Sequence, residues 1–194
     1  AASVWRQAAF LPGDDPFRHF AEALLRDGVV RGGVDDVIRA LEQDGLKGVL
    51  CQMDDRLSTR LLVLVDQFEE LTRFDPSGAK FSNEKVQKFV ELLLESVAQE
   101  EMPVYVVLAI RADFLGLCTK FSGLPEAIND GQYLIPRMSG EQLEQAISRP
   151  ISVAKGAISP ELVRRLVEEM GDSPDQLPIM QHALMRTWDH WEAH

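Results

Sequence analysis

The run Leu61-Leu62-Val63-Leu64-Val65 leads directly into Asp66-Gln67-Phe68-Glu69-Glu70. A continuous apolar run bounded by polar residues predicts a central parallel strand buried on both faces. A carboxylate at the C-terminal end of such a strand projects into the crevice where α/β proteins bind ligands. Asp66 there is placed to help hold a Mg²⁺ that bridges nucleotide phosphates, through water because the ion keeps much of its hydration shell. A glutamate just beyond suits a group that orients or deprotonates attacking water. Glu69 and Glu70 compete for that role, and spacing does not choose between them. The plainer reading is that Asp66 ends a strand and caps the next turn, with Glu69 and Glu70 on a solvated stretch of helix.

A second buried-strand pattern, Val104 to Ile110, ends in Arg111-Ala112-Asp113-Phe114. An arginine at the end of the neighbouring strand could reach a γ-phosphate, or tie two loops together by pairing with Asp66 or Asp113. Asp113 reads as the cap of a following helix. Pro178 falls about one turn into a helix opened by Ser173-Pro174, where proline is tolerated less well than at the first position. Either a kink shapes a pocket there or the helix begins later. His182 and Arg186 come on the next turns, as candidate lid sensors or as surface groups. Trp188 and Trp191 read as core or domain-contact residues.

The elements that must position these groups form an α/β pattern. Val4 to Leu11 suits a strand ending at the turn Pro12-Gly13. Asp15-Pro16 opens a helix with a cap and a proline at the first helical position. Phe17, Phe20, Ala21, Leu24 and Leu25 give that helix an apolar face, and Gly28 stops it. A second helix carries Val34, Val37, Ile38 and Leu41 up to Gly45, and a third carries Val49, Leu50, Met53 and Leu57. Val86, Phe89, Val90, Leu93, Leu94 and Val97 repeat with helical period. A helix is expected from Asp113, and Tyr133-Leu134-Ile135 is a short candidate strand. Strands alternating with helices imply right-handed crossovers and a parallel sheet covered on both sides. From Ser139 onward only helices are expected. Ser139 and Gln142 make a capping box before Leu143, Ala146 and Ile147, and Pro150 is expected to end that helix. Ser159-Pro160 opens the next, through Leu162, Leu166 and Met170 to Gly171. The last carries Leu177, Met180, Leu184, Trp188 and Trp191 on one stripe. The expected division is a sheet domain, residues 1–138, and a helical lid, residues 139–194.

Twenty Lys and Arg against 31 Asp and Glu give a net charge of −11 across the 194 residues, which argues against a nucleic-acid groove built from clustered basic side chains. A triphosphate site is not excluded, because backbone amides, one metal and a few charges suffice. Cys51 and Cys118 match no ligand spacing and read as free thiols of a reducing compartment. No apolar run reaches the roughly 18 residues of a membrane span. The opening Ala1-Ala2-Ser3-Val4-Trp5 has neither an initiator Met nor a signal pattern, so the intact protein is expected to extend upstream.

The order VDQFEEL (65–71), AIRADFL (109–115), QYLIPRMSGEQLEQAISRP (132–150) and LPIMQHALMRTW (177–188) resembles the novel STAND NTPase family. These are AAA+-related signal-transduction P-loop ATPases of bacterial multidomain proteins. The resemblance implies that Asp66 is the Walker B aspartate on the metal side, that Glu69 and Glu70 are the acids following it, and that Arg111 stands at the sensor 1 position. Leu177-Pro178 resembles the lid motif whose proline packs near the base and sugar, with His182 one turn further on. It also implies Mg²⁺ and ATP held between core and lid, a cytoplasmic location, and effector and repeat domains of the same polypeptide as partners. A sheet without the strand of the phosphate loop would expose an edge, and a homo-oligomer in which two copies shield each other's edge is a possible arrangement. The family's phosphate cradle, G-x-x-x-x-G-K-S/T, does not occur in these residues, and Gly28, Gly32 and Gly33 do not supply it. In the family it precedes the first strand, so it is expected upstream of Ala1, and little ATP hydrolysis is expected of this chain alone. Two other readings compete: an inactive interaction or oligomerisation scaffold of the same fold, and a metal-dependent hydrolase built on Asp66, Glu69 and Glu70. The second lacks a His or further Asp at ligand spacing.

Overall fold

In the computed structural model the chain divides into two compact units, residues 1–132 and 133–194. The structure describes residues 4–51, 53, 58–72, 83–100, 102–170 and 176–192. The first unit holds a three-stranded parallel sheet, β1 (Val4–Phe10), β2 (Thr59–Val65) and β3 (Val104–Leu108), in the order β1-β2-β3. Its helices are α1 (Pro16–Arg26), α2 (Val34–Leu50), α3 (Asn83–Ala98) and α4 (Leu124–Gly131).

Register decides which side chains meet. Ala8 pairs with Val63 and Phe10 with Val65, while Val63 pairs with Val106 and Val65 with Leu108, so these residues share one face. That face carries the core together with Phe17, Phe20 and Leu24 of α1 and Phe89, Val90 and Leu93 of α3. Phe89 stands edge-on to Phe10, Phe17 and Phe20 at 6.2, 5.4 and 6.3 Å, and Phe10 stacks on Phe20 at 5.1 Å. Edge-to-face and offset stacks of this kind add to the burial of the rings themselves.

The opposite face carries Trp5, Leu62, Leu64, Tyr105 and Val107, of which Trp5, Tyr105 and Val107 are 54, 45 and 47% exposed. The expected two-sided covering is not seen among the described helices of this unit: α1 and α3 pack on the core face, and α2 packs chiefly on α1 and α3 rather than on the strands.

Local chemistry explains most of the helix ends. Asp15 Oδ1 accepts the Arg18 N–H at 3.2 Å, Pro16 takes the first helical position, and Gly28 at φ 67° comes just after the end of α1. The Asp15 carboxylate also accepts from Lys85 Nζ at 3.1 Å, tying α1 to α3. Partial burial opposes its ionisation, but the Arg18 N–H and the Lys85 ammonium prevail and hold its carboxyl below the ordinary value. Gly45, at φ 69°, breaks α2 into two helical stretches, as expected of a stop followed by a third helix. Of that third helix, Leu57 lies outside the described residues.

Several expectations are corrected. The helix after Arg111 is a 3₁₀ helix, Ala112–Lys120, with Arg111 at the N-cap position and Asp113 inside the first turn. Tyr133-Leu134-Ile135 is not a strand: the segment joins no sheet among the described residues, and its three side chains are exposed. Pro150 does not end its helix; α5 runs Gly140–Val153 with Pro150 inside. The proline is exposed there, so the carbonyl it leaves without an N–H partner can bond water.

The second unit consists of α5, α6 (Pro160–Met170) and α7 (Gln176–Glu192). Ser139 and Gln142 form the expected capping box. Ile147, Val163, Met170 and Met180 are buried, with Leu143, Leu166, Val167, Leu177 and Leu184 packed against them. Leu162, expected on that stripe, is exposed and Val163 takes its place. The rings of Trp188 and Trp191 lie 5.0 Å apart, Trp188 half-buried and Trp191 exposed. A β-carbon at Gly156 would stand 2.8 Å from the Trp188 ring, so a larger residue there requires the ring to shift. Gly171 and Ser173-Pro174 lie outside the described residues.

The packing of the first unit yields two expected outcomes. Phe89→Ala removes the ring shared by three aromatic neighbours and is expected to cost about 3–5 kcal/mol in urea unfolding. Asp15→Asn keeps a capping side chain but loses the charge. Because the folded carboxyl titrates below its unfolded value, its contribution is present above the unfolded pKa and disappears as pH falls through the folded one. The stability gap between Asp15→Asn and wild type is thus expected at pH 7 and should close in strong acid.

Candidate functional site

The C-terminal ends of β2 and β3 carry the turns that form the site. Asp66 N–H donates to Phe10 O at 3.0 Å and Ala109 N–H to Val65 O at 2.9 Å, so the pairing continues past the strands on both sides. The chain then reverses through Gln67, whose φ of 53° is left-handed. Phe68 comes next, with its side chain wholly buried and its N–H donated to Ala109 O at 2.9 Å. Phe68–Thr72 continues as a 3₁₀ helix, with Leu71 buried as a second anchor. Polar and apolar residues thus alternate around a pinned turn: Phe68 and Leu71 point into the core, while Asp66 and Gln67 stay exposed.

A cleft of about 490 Å³ opens over this turn, lined by Asp66, Gln67, Glu69, Glu70, Ala109, Ile110, Arg111 and Phe114. Four of the residues singled out in the sequence, Asp66, Glu69, Glu70 and Arg111, therefore share one cavity in the first unit. Asp66 Oδ1 accepts the adjacent Gln67 N–H at 2.9 Å. Glu69, 8% exposed, receives the Arg111 N–H on Oε2 at a long 3.4 Å. Glu70 Oε2 receives the Gly13 N–H at 3.2 Å, reaching the turn after β1. The two glutamates thus face different loops.

Arg111 Nη2 donates to Asp113 Oδ2 at 2.6 Å, and its guanidinium lies 5.8 Å from the centre of the Phe114 ring. Of the two expected ion pairs, the one with Asp113 is present, and Arg111 holds the Asp113 carboxyl below its ordinary value. Asp113 therefore serves as a counter-ion rather than as a cap. At the turn after β1, a β-carbon at Gly13 would meet the His19 ring at 2.5 Å, and His19 Nδ1 lies 2.9 Å from Pro12 O. Glycine at this position permits the tight approach that presents its N–H to Glu70.

Pro178 and His182 belong to the second unit. Both are exposed on the described part of α7, and residues 171–175, which precede it, lie outside the described residues. Gln67 and Gly13 were not singled out in the sequence. Gln67 carries no signal for a left-handed backbone, and Gly13 reads as an ordinary turn glycine.

Among the described residues no group of three or more His, Cys, Asp and Glu is arranged to hold a metal ion. Asp66 nevertheless fits Mg²⁺ of the phosphate-bridging kind, which takes one or two carboxylates and fills its octahedron with water and phosphate oxygens. Its carboxylate is exposed at the strand end, with one oxygen on the Gln67 N–H.

The fold is shared with a solved structure of another protein. The ORC2 protein of Aeropyrum pernix, determined as ADPNP-ADP complexes, is similar with a TM-score of 0.53 at 13% identity over 85% of this chain and 41% of that one. A chain of the E. coli MS115-1 HORMA:CdnC:Trip13 complex matches with a TM-score of 0.43 at 13% identity over 87% of this chain and 60% of that one. The chain spans about two fifths of the first and three fifths of the second. No curated protein matches it. The family model for novel STAND NTPase 1 matches residues 1–194, and the chain belongs to that family. No described helix is long and apolar enough to cross a membrane.

The reach of Glu70 across to Gly13 is testable on stability alone. Glu70→Ala leaves a part-buried N–H without its carboxylate and is expected to lower the unfolding free energy by about 1–3 kcal/mol in urea. A variant as stable as wild type would show that this bond does not tie the turns.

Proposed function

We propose that this chain is the metal-side core and lid of a STAND-type nucleotide switch. In the intact polypeptide, Mg-ATP would sit over the ends of β2 and β3 and be covered by the helical unit. One observation carries the reading: Asp66, Glu69, Glu70 and Arg111 converge on one cleft at adjacent parallel strand ends, in a chain of an NTPase family. The nucleotides in the A. pernix ORC2 structure support it by analogy of fold.

Charge assigns the roles. Three carboxylates and one arginine line the cleft, so a polyphosphate enters favourably only with a divalent cation, which Asp66 would help hold through water. Bound Mg²⁺ supplies neutralisation of the phosphate charge. Arg111 would turn from Asp113 to the terminal phosphate, a charge-assisted contact that stabilises the charge moving off the γ-phosphoryl group. Glu69 or Glu70 would accept a proton from the attacking water. Pro178 would pack near the base and sugar, and His182 would face the nucleotide from the lid. Slow turnover suffices, because a switch acts through differential binding to two states. The domains it controls are other parts of the same bacterial, cytoplasmic polypeptide.

A second reading, an inactive scaffold or homo-oligomer, is favoured by the exposed apolar sheet face at Trp5, Tyr105 and Val107. Parallel sheets are ordinarily covered on both faces, and exposed apolar patches mark contacts.

Calorimetric titration of Mg-ATP and Mg-ADP separates the two. Residues 1–194 contain no G-x-x-x-x-G-K-S/T loop, so weak or no binding and negligible hydrolysis are expected of them. A polypeptide extended upstream through that loop should bind, and Asp66→Asn should weaken Mg-ATP binding by about tenfold or more, the equivalent of 1.4 kcal/mol. No binding in the extended form selects the scaffold. Turnover by residues 1–194 that Asp66→Asn abolishes would sink the division of labour proposed here.

A further inference from the structure

Gln67 stands on the cleft wall between the metal-side aspartate and the two glutamates, and none of the roles above uses it. Its backbone is left-handed, at φ 53°. A residue with a β-carbon pays roughly 1–2 kcal/mol for that conformation, which glycine adopts freely. Its side chain is exposed at the cleft, and its carboxamide makes no hydrogen bond among the described residues. The neighbouring carboxylates are engaged: Asp66 with the Gln67 N–H, Glu69 with the Arg111 N–H, and Glu70 with the Gly13 N–H. A costly backbone conformation that presents an unengaged polar side chain to a cleft is the pattern in which observed strain points to function.

We propose that Gln67 positions the attacking water for hydrolysis of ATP, an assignment that rests on the nucleotide reading above. A carboxamide offers an acceptor oxygen and a donor nitrogen on one short plane. Its oxygen takes a hydrogen bond from the water while its nitrogen donates to a terminal phosphate oxygen, which aligns the lone pair with phosphorus. The water oxygen then bonds to the γ-phosphorus as the bond to the β–γ bridging oxygen breaks, giving ADP and inorganic phosphate. Of the two water protons, one remains on the phosphate and the other leaves to solvent through one of the neighbouring glutamates. Gln67 neither gains nor loses a proton. The glutamates brace the strand-end loops while the unengaged amide meets the reactant.

Gln67→Gly is the decisive variant, because a structural role and a water-positioning role predict opposite results. In residues 1–194 it relieves the left-handed backbone, so the urea midpoint is expected to stay the same or rise. In the upstream-extended polypeptide, kcat for Mg-ATP should fall by about 10²-fold while nucleotide affinity stays within about twofold, because positioning acts on the chemical step. Gln67→Glu keeps the length but has no donor when ionised, and should lose kcat to a similar degree. A Gly variant that hydrolyses ATP like its parent overturns the assignment and leaves the nucleotide reading intact. A Gly variant that is markedly less stable makes Gln67 a structural residue and overturns the assignment as well. A parent with no turnover removes the hydrolytic step itself and the role of Gln67 with it.

Discussion

The structure of the cleft depends on one buried ring. With its side chain wholly excluded from water and its N–H on Ala109 O, Phe68 fixes the depth at which the chain leaves β2. Everything polar nearby is placed relative to it: Asp66 and Gln67 before it on the exposed side, Glu69 and Glu70 after it, reaching the turn after β3 and the turn after β1 respectively. Burial of an aromatic ring contributes more than any of these hydrogen bonds does singly. The acids are therefore held by the core, and their hydrogen bonds refine a position already set.

The same arrangement explains the charge of the cleft. Three carboxylates beside one arginine form a poor anion site and a reasonable site for an anion that brings its own divalent cation. Arg111 already has a counter-ion in Asp113. Both are well exposed, so solvent screens the pair and it is readily exchanged. An incoming phosphate competes with a weak surface ion pair, not with a buried one.

Much of this was legible in the sequence, for reasons particular to each element. Leu61–Val65 and Val104–Leu108 were visible as strands because each lies in a short continuous apolar run, rich in β-branched or aromatic residues and ended by a charged one. Asp15-Pro16 and Ser139 with Gln142 marked helix starts because capping chemistry is local. Knowing where two adjacent strands end was enough to bring Asp66, Glu69, Glu70 and Arg111 towards one place. What failed depended on tertiary context. Tyr133-Leu134-Ile135 has strand composition but joins no described sheet, and composition cannot report a missing neighbour. Pro150 stays within a helix because its exposed side leaves water to satisfy the backbone. The uncovered face bearing Trp5 and Tyr105 could not be read from residues that look like any buried strand. Gln67 was silent because a left-handed position announces itself in sequence only when glycine fills it.

The turns after β1, β2 and β3, linked through Glu69 and Glu70, should act as one nucleotide-responsive unit. Hydrogen–deuterium exchange of the upstream-extended polypeptide, with and without Mg-ATP, tests this most directly. Protection is expected to rise together in the segments around Gly13, Asp66–Leu71 and Arg111–Phe114. No change in these three segments, with nucleotide demonstrably bound, would place the ligand elsewhere and contradict the account.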